Sequence, residues 1–210
     1  MISMLVADDH AIVRQGLKQI VADTHDIVVA DEACNGKEAL NQILKKDYDV
    51  AVLDITMPDR SGLDILKELK SRKPKIKVLI LSIHPEEQYA VRALIAGASG
   101  YLTKDSAPSE LIGAVRKVVL NRKYVSSFLA EKLASELETC AEGPLYQALS
   151  DREYEVMLMI ASGKRVTEIA YEMRLSVKTV STYRSRVLRK MKMKNNAELI
   201  RYCLENSLLD

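Results

Sequence analysis

Aspartates, a hydroxyl and a lysine recur in this chain at one kind of place. Asp8 and Asp9, Asp54, Ser82 and Lys104 each close a short apolar run: Met4-Leu5-Val6-Ala7, Val50-Ala51-Val52-Leu53, Val78-Leu79-Ile80-Leu81 and Tyr101-Leu102-Thr103. Short runs rich in branched and aromatic residues have strand character. In an open parallel sheet, ligands lie beyond the carboxyl ends of the strands, where strand order reverses. Three carboxylates, one hydroxyl and one ammonium would meet at that edge. A hard divalent cation prefers carboxylate and phosphate oxygens, and a lysine ammonium suits a phosphoryl oxygen. The set therefore fits a divalent ion beside a transferred phosphoryl group. Any one of these aspartates alone would be an ordinary solvent-facing strand end; five positions in agreement point to a site.

Such residues need a scaffold that gathers four strand ends. From residue 4 to residue 120, apolar runs alternate with helical patterns. Ala11–Ala22 carries Ile12, Leu17, Ile20 and Val21 at helical spacing. Ile27–Ala30 reads as a second strand, and Gly36–Lys46 as a helix with Ala39, Leu40, Ile43 and Leu44 inward. Leu63–Arg72 and Gln88–Ala96 are helical, and Gly97 stops the latter. Pro108 opens a last helix, through about Leu120, at the first-turn position that tolerates proline. Five such units predict an α/β fold, a flavodoxin-like, doubly wound, five-stranded parallel sheet with helices on both faces. Its strands are continuously apolar because both faces are buried.

The chain has 210 residues, 48% hydrophobic and 29% charged, enough to bury the core of one large domain or of two small ones. No apolar stretch approaches the roughly 18 residues of a membrane span. Met1-Ile2-Ser3-Met4 lacks the basic segment and cleavage site of a signal peptide. Cys34, Cys140 and Cys203 are odd in number and far apart, without CxxC spacing. That argues against a disulfide framework or zinc site, and for reduced thiols in the cytoplasm.

The net charge of +2 hides an asymmetry: residues 1–148 sum to −2 and residues 149–210 to +4. Arg174, Lys178, Arg184, Arg186, Arg189, Lys190, Lys192 and Lys194 fall in one segment with no acidic residue among them. A basic stripe so confined is the footprint of phosphate-backbone binding. Residues 121–147, with Gly143-Pro144, read as a linker carrying a short helix over Ser127–Leu137. Ser150-Asp151-Arg152-Glu153 forms a capping box that starts a helix with Val156, Met157, Met159 and Ile160 inward, and Gly163 stops it. A short helix over Val166–Met173 and the turn Arg174-Leu175-Ser176 lead into a third helix, from Val177 to about Lys192. Val180, Val187, Leu188 and Met191 form its apolar stripe; Lys178, Ser181, Thr182, Ser185, Arg189 and Lys192 form its polar edge. A fourth helix spans Ala197–Asn206. This all-α, four-helix pattern contains a helix-turn-helix, whose second helix enters the major groove. Ser181, Thr182 and Ser185 are placed for base edges. Thr179 lies beside them, and Lys178, Arg184, Arg186, Arg189 and Lys192 suit phosphates, which set register but carry little sequence information.

Val-Ala-Asp-Asp-His (6–10), Asp-Ile-Thr-Met-Pro (54–58) followed by Gly62, Ser82, and Gly-Ala-Ser-Gly-Tyr-Leu-Thr-Lys (97–104) resemble the receiver domains of bacterial two-component response regulators. The likeness covers residues 3–120. Leu149-Ser-Asp-Arg-Glu, Glu168-Ile-Ala and Leu175-Ser-Val-Lys-Thr-Val180 resemble the LuxR-type helix-turn-helix domain, and the two together resemble the NarL/FixJ family. Met157-Leu-Met-Ile160, Lys164-Arg-Val166 and Tyr183-Arg-Ser-Arg186 are similar to its GacA/UvrY branch, although Tyr183 stands where many relatives have histidine.

The resemblance implies a receiver over 1–120, a linker over 121–147 and a DNA-binding domain over 148–210. It implies that Asp54 accepts a phosphoryl group from a sensor histidine kinase. Mg2+ or Mn2+ would be held by Asp8, Asp9, Asp54 and the backbone carbonyl of Thr56, and Lys104 and Ser82 would contact the phosphoryl oxygens. Tyr101 corresponds to the aromatic that turns inward as Ser82 moves. The implied partners are double-stranded promoter DNA, RNA polymerase and a second copy of the chain on phosphorylation, with no membrane. No enzymatic role is implied beyond slow self-dephosphorylation. Many receivers have proline after the lysine; here Asp105 follows, which leaves the geometry of that peptide open. Phosphatases of the haloacid-dehalogenase type also use a strand-end aspartate, but they need a second acid two residues later, where this chain has Thr56. A DNA binder whose first half is only an unphosphorylated interaction module is the other alternative.

Overall fold

In a computed structural model that describes residues 1–126, 129–130, 144–206 and 208–209, the chain divides into two compact units, Met1–Leu133 and Ala134–Asp210. The first alternates β1 (Ile2–Ala7), α1 (Ala11–Ala22), β2 (Ile27–Ala33), α2 (Gly36–Lys45), β3 (Val50–Asp54), α3 (Gly62–Arg72), β4 (Lys77–Ser82), α4 (Glu86–Ile95), β5 (Gly100–Thr103) and α5 (Ala107–Val119). The sheet is parallel, in the order β2-β1-β3-β4-β5. Successive connections run to opposite sides of β1, so the strand order reverses between β1 and β3 and opens a crevice at their carboxyl ends.

Register brings the polar strand ends to one level. Ala7 pairs with Leu53, Asp54 with Leu81, and Ser82 with Thr103. Asp8 therefore emerges beside Asp54, and Lys104 just beyond Ser82. Every residue of β3 is buried, as its unbroken apolar run requires. Met4, Val6, Val50, Val52, Leu79, Leu81 and Leu102 pack against Leu17 and Val21 of α1 and Leu111, Ala114, Val115 and Val118 of α5. On the other face Ile43 of α2 and Ile65, Leu66 and Leu69 of α3 are buried. Ile12, grouped by spacing with the α1 stripe, is 83% exposed; Val13 packs on the core in its place.

β2 runs three residues past Ala30, because the charges of Asp31 and Glu32 are met at the sheet edge. Lys46 Nζ lies 2.8 Å from Asp31, and Lys18 Nζ 2.6 Å from Glu32. Pro85 and Ser106 precede α4 and α5, which start two and one residues earlier than their apolar spacing indicates.

In the second unit a 3-10 turn, Leu145–Ala148, precedes α6 (Asp151–Ala161), α7 (Val166–Glu172), α8 (Val177–Lys190) and α9 (Asn196–Glu205). The capping box at Ser150 is formed with both hydrogen bonds, and Gly163 stops α6 at φ +84. Val156, Met157, Ile160, Ile169, Ala170, Val180, Val187, Leu199 and Cys203 make its core. On α6 the buried residues also include Tyr154 and Leu158, while Met159 is half-buried. The linker helix expected over Ser127–Leu137 lies, but for Leu129 and Ala130, outside the described residues.

Candidate functional site

At the crevice, Asp8 and Asp54 are almost wholly buried. Lys104 Nζ stands between them, 2.7 Å from Asp8 Oδ2 and 2.8 Å from Asp54 Oδ2. Asp9, only partly buried, takes the outer side, and His10 Nδ1 lies 2.9 Å from Asp9 Oδ1 and 3.2 Å from Asp8 Oδ1. One ligand atom from each of Asp8, Asp9, His10 and Asp54 falls within 4.8 Å of the others. A single hard cation bonded at about 2.0–2.6 Å can span oxygens so placed, so the donor set fits such an ion. The N–H of Thr56 donates to Asp54 Oδ1 at 3.3 Å.

Burial pushes the Asp54 carboxyl up to about 6; the Lys104 ammonium pulls against this and the Asp8 charge adds to it. Burial draws Lys104 down, but the charges and hydrogen bonds of Asp54 and Asp8 outweigh it and hold the ammonium above its ordinary value. Two buried carboxyls and one ammonium thus share a pocket in which added positive charge is favoured.

Ser82 is fully buried at the end of β4, and its Oγ accepts from the His84 N–H at 3.0 Å. Tyr101 is also buried, and its hydroxyl donates to the His84 carbonyl at 2.8 Å. One backbone unit, His84, therefore answers to both side chains. The His84 ring rests on Tyr89 of α4, with centroids 4.9 Å apart.

In the second unit, Lys178, Ser181, Thr182, Ser185, Arg186 and Arg189 of α8 are exposed. Thr182 Oγ1 donates to the Lys178 carbonyl at 2.9 Å and Ser185 Oγ to the Ser181 carbonyl at 3.0 Å, which leaves their lone pairs outward. Three residues grouped with this face are placed differently. Thr179 is half-buried, and its N–H and hydroxyl both engage Ser176, the N-cap of α8. Arg184 Nε donates to Asn196 Oδ1 of α9 at 2.8 Å. Lys192 lies beyond the end of α8 in the left-handed region, at φ 56, so it does not prolong the helical edge.

Residues 4–116 match the family described as "Response regulator receiver domain", and residues 147–203 match "Bacterial regulatory proteins, luxR family". The chain is 34% identical over 209 residues to the response regulator UvrY of Escherichia coli strain K12, covering 99% of this chain and 96% of that one. It is 33% identical over 211 residues to the response regulator GacA of Pseudomonas aeruginosa, covering 100% and 99%. The chain is a response regulator. Among solved structures it resembles RcsB from Salmonella enterica serovar Typhimurium, bound to promoter rprA with phosphomimetic BeF3-. There the identity is 26%, the TM-score 0.65 and the coverage 96% and 97%.

The response regulator's receiver also uses residues that spacing did not reveal. Arg14 Nη1 donates to the Asp8 carbonyl at 2.8 Å while its Nε lies 3.2 Å from Glu32, which braces the turn carrying Asp8 and Asp9. His10, with no metal-ligand spacing in sequence, joins the acidic group because the same turn folds it back. The Lys104–Asp105 peptide is trans. The second unit carries the LuxR-type domain, and no helix among the described residues is long and apolar enough to cross a membrane.

Proposed function

We propose that this response regulator takes a phosphoryl group from a sensor histidine kinase onto Asp54, and that this controls the binding of its α8 to promoter DNA in the cytoplasm. The observation that carries the reading is the meeting of Asp8, Asp9 and Asp54 with Lys104, whose Nζ lies 2.8 Å from Asp54. An Asp54 oxygen forms a bond to phosphorus while the bond from phosphorus to the kinase imidazole nitrogen breaks, and the imidazole leaves with the electron pair. Asp8, Asp9, Asp54 and the Thr56 carbonyl would hold Mg2+ or Mn2+, which would supply charge to offset repulsion between the phosphoryl group and these carboxylates. Lys104 turns from carboxylate to phosphoryl oxygen. The Ser82 hydroxyl donates to another, and the loop that bonds it through His84 follows, with Tyr101 attached. Slow self-hydrolysis of the aspartyl phosphate resets the protein, which has no other enzymatic role.

On the output side, α8 enters the major groove with Ser181, Thr182 and Ser185 toward base edges, and with Lys178, Arg186 and Arg189 toward phosphates. Two phosphorylated copies bind a two-fold site, with the exposed Leu204 of α9 in their contact. RNA polymerase is a further partner at the bound promoter. The test treats the full chain with acetyl phosphate and Mg2+, using a duplex selected from a random library. Wild type should gain the mass of one phosphoryl group and bind more tightly, and Asp54→Asn should do neither. Undiminished labelling of Asp54→Asn would refute the assignment. Equal affinity of labelled and unlabelled wild type would favour a module that works unphosphorylated.

A further inference from the structure

Residues 121–126, which follow α5, stay on the receiver. Asn121, in the left-handed region at φ 61, turns the chain back, and Tyr124 forms an isolated parallel bridge with Gly100 at the start of β5. The Tyr124 N–H donates to the Ser99 carbonyl at 2.8 Å, and Lys123 Nζ donates to the Ala98 carbonyl. Burial and the neighbouring Glu110 carboxylate of α5 push the Tyr124 hydroxyl up to about 12, and Lys117 Nζ lies 5.5 Å from the centre of its ring. Ser126 Oγ donates to Glu86, the first residue of α4. Gly100 admits this approach, since a β-carbon there would lie 2.7 Å from both the β-carbon and the carbonyl oxygen of Tyr124. Residues 123–126 are thus laid across α4, β5 and α5, covering the edge strand of the sheet.

These contacts grip the switch from two sides. Gly100 immediately precedes Tyr101, whose hydroxyl holds the His84 carbonyl; the His84 N–H holds Ser82, and Glu86, just beyond, holds Ser126. A loop that follows the Ser82 hydroxyl toward a phosphoryl oxygen must carry Glu86 with it. The covered face accordingly fits one partner, the beginning of this chain's own linker.

We propose that Lys123–Ser126 is a strap that fastens the linker to the α4–β5–α5 face of the unphosphorylated protein and lets go, at Glu86 first, when Asp54 is phosphorylated. This rests on Asp54 as the phosphoryl acceptor. The strap weights one side of a two-state equilibrium, and phosphorylation weights the other.

Hydrogen exchange on the full chain, before and after acetyl phosphate with Mg2+, tests it alongside intact mass. The Tyr124 amide should lose protection in proportion to the labelled fraction. Ser126→Ala should raise the DNA affinity of untreated protein about fivefold, the worth of one hydrogen bond near 1 kcal/mol. Ser126→Ala also removes a bond to the Leu129 N–H. Tyr124→Phe leaves that bond in place and should shift the affinity the same way. Unchanged Tyr124 protection in protein labelled at Asp54, or unchanged affinity in both variants, would overturn the strap and leave the phosphoryl assignment standing. Failure to label Asp54 would overturn both.

Discussion

Asp54 owes its position partly to what Gly62 lacks. A β-carbon on Gly62 would stand 2.2 Å from the Asp54 carbonyl oxygen and 3.0 Å from its carbonyl carbon. The Gly62 N–H also donates to the Ile55 carbonyl at 3.0 Å, tying α3 to the end of β3. The obstacle is backbone, with no flexible side chain to swing aside. Gly62→Ala should therefore cost about 1–3 kcal/mol, as overpacking does in a dense core. Thermal denaturation should show a lower Tm, and labelling by a phosphodonor should fall even where circular dichroism reports a folded chain. A wild-type Tm with wild-type labelling would mean that β3 is fixed by other contacts. At this scale the five polar strand ends were legible in the sequence, because they cluster where short strand-like runs end and register does the rest. Arg14 was not, because it acts through a turn by bracing a backbone carbonyl; His10 falls at the same edge in sequence, but without metal-ligand spacing nothing there shows that it folds back on the carboxylates before it. Neither contact has a spacing that a sequence displays.

Elements were readable wherever burial is two-sided or a cap is explicit, and misread where charge is satisfied locally. β3 and β4 followed from unbroken apolar runs, and α6 from its capping box. β2 was cut short at Asp31 because the lysines that neutralise its charges, Lys18 of α1 and Lys46 just beyond α2, are distant in sequence. The end of α8 was set too late because Lys192 fits the polar edge by spacing, although the helix closes at Lys190. Lys190 also shows what holds the second unit together. Its Nζ lies 2.5 Å from Glu153 Oε2 and joins the end of α8 to the start of α6. Burial pushes the Glu153 carboxyl up, but the Lys190 ammonium and the Ser150 N–H outweigh it and hold the group below the usual glutamate range. A lowered carboxyl contributes stability above its unfolded value and loses it as pH falls through the folded one. Glu153→Gln should accordingly destabilise this unit by about 1–2 kcal/mol at neutral pH, a figure discounted for the partial exposure of Lys190. The gap from wild type should close as the pH drops below the glutamate range. Chemical denaturation from neutral pH into the acid range, followed in the second unit, measures it; a gap independent of pH would assign the loss to the cap alone.

Across the whole molecule, charge is divided as the two tasks require: −2 over residues 1–148, which hold the acidic pocket, and +4 over 149–210, which hold the exposed cations of α8. Binding driven by such cations releases counterions, so log affinity falls with log salt by about 0.9 for each duplex phosphate neutralised. Arg189 is exposed on the edge of α8 and suits a phosphate, whereas Ser181 suits a base edge. Arg189→Gln should weaken binding alike on every duplex and make the salt slope shallower. Ser181→Ala should change the preference among duplexes and leave the slope alone. The size of the Arg189 effect also counts modules. If the unphosphorylated protein engages DNA through one α8 and the phosphorylated protein through a two-fold pair, the same substitution removes one phosphate contact before phosphorylation and two after it. Its effect on the slope should then grow from about 0.9 to about 1.8. Fluorescence anisotropy on a selected duplex across a salt series, with and without acetyl phosphate, reads both values. An effect that stays near 0.9 in fully labelled protein would mean that phosphorylation frees a single module, and that the paired arrangement is wrong.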